Sequence, residues 1–88
     1  MQVIVTVIGT DKVGIIAQVT TKLAALNVNI LDVSQTIMQG AFTMMLLAKL
    51  PADADFGAIK ADLQDLGTDI GVEVKMARQE IFDAMHKL

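Results

Sequence analysis

Six residues near the N-terminus, "GTDKVG" from Gly9 to Gly14, set one acid and one base between two glycines. A β-branched run ends just before them, and a helical pattern begins just after Gly14. A strand that empties into a helix N-terminus leaves backbone N–H groups without intrahelical acceptors, here those of Gly14, Ile15 and Ile16. Together with the helix dipole they form a seat for a carboxylate. Asp11, just upstream, is placed to meet an ammonium group, and that pair of charges suits an α-amino acid. A structural use of the same residues is also open. Asp11 can cap the helix on the N–H of Val13 or Gly14, while Gly14 permits close packing.

Other chemistry is harder to build from this chain. Gly9 and Gly14 have the spacing of a phosphate-binding loop, but Ile15-Ile16 stands where Lys-Ser/Thr is required, which excludes that class. An acylphosphatase-like site would need an arginine in the first strand-to-helix connection, and none is there. The only histidine, His86, follows Asp83 by three residues; two ligands make a poor zinc site, and a solvent-facing pair near a helix end accounts for them. Asp53, Asp55, Asp62 and Asp65 read as helix capping and a solvated face. The six methionines read as core or interface filler, and the absence of cysteine removes disulfides and thiolate catalysis together. No catalytic residue, metal or cofactor is expected.

The elements that position the Gly9–Gly14 segment follow from hydrophobic period. Val3, Val5 and Val7 alternate with Ile4, Thr6 and Ile8, both sets largely apolar, which predicts a central strand covered on both faces. Ile16, Val19, Leu23 and Leu26 then recur at helical spacing, with Asn27 as a left-handed terminator. Val28 to Gln39 returns to strand, and Gln39-Gly40 predicts a hairpin into "AFTMMLLAKL", closed by Pro51. Asp53 or Asp55 caps a second helix with Phe56, Ile59, Leu63 and Leu66 as its buried stripe and Gly67 as its stop. "GVEVKMA" alternates as a half-exposed last strand. The order β-α-β-β-α-β, with right-handed crossovers, predicts a ferredoxin-like α+β fold: a four-stranded antiparallel sheet with both helices on one face. Residues 1–78 make this domain, and 79–88, with Ile81, Phe82, Met85 and Leu88 at helical spacing, make a short amphipathic extension. The sheet face opposite the helices must carry Ile4, Ile8, Met45 and Leu47 or the equally apolar alternate set, and the extension is a candidate cover for it.

Size and charge limit the partners. A chain of 88 residues that is 53% hydrophobic has more apolar side chains than one small core absorbs, so a homodimer is expected. A net charge of −3 and seven scattered basic residues argue against direct nucleic-acid binding. Sheet-mediated RNA binding would want aromatics on the first strand, which has none. No apolar run reaches the roughly 18 residues of a membrane span, and no secretion signal is recognisable, so a cytoplasmic protein is expected.

The segment "GTDKVGIIAQVTTKLAALNVNILDVSQT" resembles the ACT domain family, small ligand-sensing modules of amino-acid metabolic enzymes. Asp11 and Gly14 match that family's strand-helix connection, Ile15 and Ile16 its first helical turn, and Asn29-Ile30 the entry to its second strand. The terminal "EIFDAMHKL" is further similar to stand-alone bacterial ACT proteins that resemble the repressor of the glycine cleavage system. The resemblance implies a ligand between the connection and the second strand, often across a dimer interface. Asp11 and Asn29 would then meet the ligand's polar groups, and Gly14 and Ile15 would supply backbone N–H donors. Asn29 can equally serve as a turn residue bonding its own backbone. The departure is Asp11, since some amino-acid-binding members carry an amide or histidine there. The expected function is a non-enzymatic module that binds a small molecule, an amino acid by this chemistry, and acts through a protein partner; the alternative is a ligand-free dimerisation module.

Overall fold

The computed structural model describes residues 1–10 and 13–80. The elements run β1 (Gln2–Thr10), α1 (Ile15–Ala25), β2 (Asn29–Met38), β3 (Ala41–Lys49), α2 (Phe56–Ile70) and β4 (Val72–Arg78). The strands form one antiparallel sheet in the order β2-β3-β1-β4, the ferredoxin-like arrangement. Val3, Val5 and Val7 of β1, Phe42, Met44, Leu46 and Ala48 of β3, and Val72, Val74 and Met76 of β4 turn to the helices and are buried. They meet Ile15, Val19 and Leu23 of α1 and Ile59 and Leu63 of α2 in a single core.

The opposite face carries Ile4, Ile8, Met45 and Leu47, as one of the two sequence alternatives has it. No described element covers it: Ile4, Met45 and Leu47 are half-buried and Ile8 is 42% exposed, and the C-terminal extension expected as its cover lies outside the described residues beyond Glu80. Both α1 and α2 lie on the other side.

The turns obey local chemistry. Asn27 takes φ 59° just past α1, and Gln39 and Gly40 both take positive φ, 53° and 78°, in the β2–β3 hairpin. Of the two candidate caps on α2, Asp55 is used: its carboxylate accepts the Ala58 N–H at 3.2 Å.

Three glycine and helix-face expectations are corrected. Gly67 does not stop α2, which continues to Ile70 and ends at Gly71 with φ 77°. Gly67 is instead buried where α2 crosses β4: a Cβ there would stand 2.8 Å from both the Val72 carbonyl oxygen and the Val74 Cγ2. Gly9 likewise is not a loop residue but a member of β1, paired with Phe42 on one side and Val72 on the other. The buried stripe of α1 begins at Ile15 rather than Ile16, which is 39% exposed.

Gly67→Ala tests the close approach. Alanine favours a helix over glycine by about 1 kcal/mol, whereas overpacking against a backbone oxygen costs about 1–3 kcal/mol. Net destabilisation is expected in urea unfolding, and a stabilised variant would show that α2 can lift from β4.

Candidate ligand site and relatives

Gly14 is the N-cap of α1, with φ 89° and ψ 0°, a left-handed conformation in which any other residue is strained. Its carbonyl accepts the first intrahelical bond, from the Gln18 N–H at 2.9 Å. Among the described residues no side chain caps the helix, and its first turn holds no acidic residue. The N–H groups of Ile15, Ile16 and Ala17 therefore have no acceptor among the described residues, while the dipole leaves partial positive charge beside them. The Ile15 side chain is buried in the core, so that residue offers only its backbone. Asp11 and Lys12 lie outside the described residues, and so do Asp83 and His86.

Asn29 opens β2 at the other end of the sheet. Cross-strand register aligns Asn29 with Lys49 and Gln2, whereas the end that leads into α1 aligns Thr10 with Ala41 and Met38. Eight residues of extended strand separate the two rows, about 26 Å at 3.3 Å per residue. Asn29 is exposed and makes no hydrogen bond among the described residues beyond the β2–β3 ladder, so the self-bonded turn is not what holds it. The structure thus brings Gly14 and Ile15 together and sets Asn29 apart from them within one chain.

Among the described residues, apolar side chains are exposed around the α1 N-terminus. Val13 is fully exposed, Ile16 partly so, and along the neighbouring sheet edge Val33 and Ile37 are 45% and 56% exposed. Sequence periodicity placed Ile16 in the core stripe and missed this patch, because a 16-19-23-26 pattern and a 15-19-23 pattern differ by a rotation that only packing decides. Among the described residues no group of three or more His, Asp or Glu side chains can hold a metal ion. No helix among them is long and apolar enough to cross a membrane.

Among the described residues, a four-stranded antiparallel sheet with two helices on one face and an uncapped α1 N-terminus beside an apolar edge make a small ferredoxin-like α+β domain. The ACT domain family model matches residues 1–77. A UPF0237 protein of Bifidobacterium longum is 54% identical over 86 residues, 97% of this chain and 96% of that protein. Among solved structures, an ACT domain protein from Streptococcus pneumoniae superposes with a TM-score of 0.85 at 36% identity, covering 94% of each chain. A proposed glycine cleavage system transcriptional repressor superposes at 0.80 with 23% identity over 89% of this chain and 45% of that one, a likeness of fold. The chain belongs to the ACT domain family, and its full-length relatives are UPF0237 proteins.

Proposed function

We propose that this protein is a non-enzymatic regulatory module of the cytoplasm that binds an amino acid between two copies of itself and passes the bound state to a protein partner. The carrying observation is the α1 N-terminus: three backbone donors and a helix dipole, with no side chain of the described residues to satisfy them. They suit the α-carboxylate, with Asp11 as the partner of the ammonium group. ACT family membership over residues 1–77 supports the same reading.

The second copy enters through β2. That strand is an edge, and residues 31–40 are all exposed. It carries one charge, Asp32, over ten residues and no proline. The other edge, β4, is shorter and guarded by the Glu73–Lys75 ion pair at 3.2 Å. Charges of that kind keep sheet edges from associating, so the unguarded β2 is the edge built to be paired. A two-fold axis runs two β2 strands antiparallel and turns the partner copy's β2 start toward the first copy's Met38 end. That is the end at which α1 begins. The distance of about 26 Å between the Asn29 row and the Thr10 row within a chain is bridged by symmetry. In the register centred on Gln35, Val33 of each copy faces Ile37 of the other, which covers both exposed side chains, and the two Asp32 carboxylates stay far apart. The ligand then stabilises the dimer that holds it, and linkage carries its concentration to the partner.

A thermal-shift panel of the common amino acids tests the ligand. At 100 times its dissociation constant a ligand stabilises by about 2.7 kcal/mol, several degrees on a domain of this size. Asp11→Ala and Asn29→Ala are each expected to abolish the shift. If no amino acid at millimolar concentration moves the melting temperature, amino-acid sensing is wrong and the β2 edge leaves the dimerisation module as the reading.

A further inference from the structure

Val33, Gln35 and Ile37 of β2 pair with Leu46, Met44 and Phe42, and so share the sheet face those three turn to the helices. The β3 residues are buried, yet Val33 and Ile37 stay half-exposed, and no described element lies over them. Helix α1 stands beside this ledge. Toward α2, Gln18, Lys22 and Ala25 of α1 face Leu66 across a groove, and α2 packs on β4 at the opposite edge of the sheet. At about 100° per residue, Ile16 and Thr20 fall on the other flank of α1, the one turned to β2. The helix starts at the Thr10 end of the sheet, and Ile37 stands in the next row. Ile16 and Ile37 therefore border one corner, and the free N–H groups of Ile15, Ile16 and Ala17 open at its end.

We propose that this corner receives the ligand's side chain and selects an aliphatic amino acid of the valine, leucine and isoleucine class. The inference rests on the amino-acid reading above and adds to it which side chain is accepted. Charge is what decides. Among the described residues the only charged side chain of α1 is Lys22, and it lies on the α2 flank. Asp32, the one charge of β2, pairs with Leu47 and takes the opposite face of the sheet. The Thr20 hydroxyl donates to the Ile16 carbonyl at 2.8 Å and is engaged within the helix. A charged or strongly polar side chain laid against Ile16 and Ile37 would give up water without gaining a partner, whereas an aliphatic one covers surface that is otherwise left wet. The two-fold β2 pair enlarges the same floor, because Val33 of the second copy comes to lie beside Ile37. Ile16 is then the specificity-determining side chain of α1, and it stands off the β2 edge, so it can be changed without touching the strand pairing.

Titrations of leucine, valine, alanine, glycine, aspartate and lysine, read by calorimetry on the full chain, test the assignment. Leucine is expected to bind at least about tenfold more tightly than alanine, since even one methylene in an apolar pocket is worth about 10-fold or more. Ile16→Ser is expected to remove most of that advantage and to leave alanine binding unchanged, which a merely structural loss would not do. Ile16→Val is expected to keep it. The Ile16 side chain is partly exposed, so these variants retain the fold. Glycine, aspartate or lysine binding as tightly as leucine would overturn the aliphatic corner and leave the amino-acid reading standing. So would an Ile16→Ser variant that keeps the full preference for leucine. The reverse case is read with 4-methylpentanoate, which has leucine's carbon skeleton and carboxylate but no ammonium group. If it binds and no amino acid does, the corner stands and the amino-acid reading falls; if nothing in the series binds, both fall.

Discussion

Replacing Phe42 by alanine is expected to lower the melting temperature by roughly 15–30 °C. Among the described residues Phe42 is the largest fully buried side chain, 1% exposed, and its place in the sheet explains both its size and its neighbours. In the helix-facing row it stands between Ile37 of β2 and Gly9 of β1. Gly9 presents no side chain there, and from the far side Val72 leans into the vacancy: a Cβ on Gly9 would stand 2.8 Å from Val72 Cγ1. Gly9 is thus paired with Phe42 on one side and covered closely by Val72 from the other. Alanine at 42 would remove the ring without any neighbour able to expand into its place. Truncations of this kind cost about 3–5 kcal/mol, and each kcal/mol moves a domain of this length by about 4–8 °C. Total stability for 88 residues is on the order of 4–13 kcal/mol, so the loss removes a large share of it. Calorimetry at fixed protein concentration reads the shift, and Phe42→Leu, which keeps more of the volume, is expected to lose less than half as much. A Phe42→Ala variant within a few degrees of the parent would mean that the row has room to collapse. Since this row adjoins Thr10 and the start of the connection to α1, any amino-acid response should weaken along with stability.

The role of Gly9 also marks where sequence reasoning stops. Element types and order were legible, because the periods of β1, α1, β3 and α2 are clean and the turns at Asn27 and Gln39-Gly40 use residues that tolerate positive φ. The two misread glycines were not legible. Gly9 and Gly67 are small because Val72 and Val74 pass close by, and that closeness comes from pairings between segments more than 60 residues apart for Gly9 and from a helix-on-strand crossing for Gly67. By sequence alone a glycine near a strand end reads as a loop, and one near a helix end reads as a stop. At the site, the freedom of Gly14 was readable from its type. The separation of Asn29 from Gly14 was not, since it depends on strand register, and neither was the contrast between a β4 edge with an ion pair and a β2 edge with the single charge of Asp32, which depends on strand order.

That contrast between edges carries the second large effect. Placing lysine at both Val33 and Ile37 is expected to convert the protein to a monomer, with the dimer dissociation constant raised at least about 100-fold, or 2.7 kcal/mol. In a two-fold β2 pair centred on Gln35, each Val33→Lys faces an Ile37→Lys of the other copy, so two like-charged pairs oppose one another directly across the strands. Like charges directly opposite are destabilising in any sheet, and here the exposed apolar area of Val33 and Ile37 would be lost as well. Both side chains are already half-exposed in one chain, so the substitutions should leave the monomer's fold intact by circular dichroism. Lysines on an edge strand are the device by which sheets remain unpaired, and the variant simply gives β2 what β4 already has in Lys75. Removing that guard from the other edge, with Glu73→Ala/Lys75→Ala, should leave the mass in solution that of a dimer. Sedimentation velocity across a concentration series distinguishes the cases. A parent that is monomeric throughout would end β2 pairing, and a lysine variant that stays dimeric would move the interface elsewhere. If β2 pairing is what brings the second copy's Asn29 to the α1 N-terminus, the monomeric variant must also lose its amino-acid thermal shift. A variant that loses the dimer and keeps the shift would place the whole ligand site within one chain.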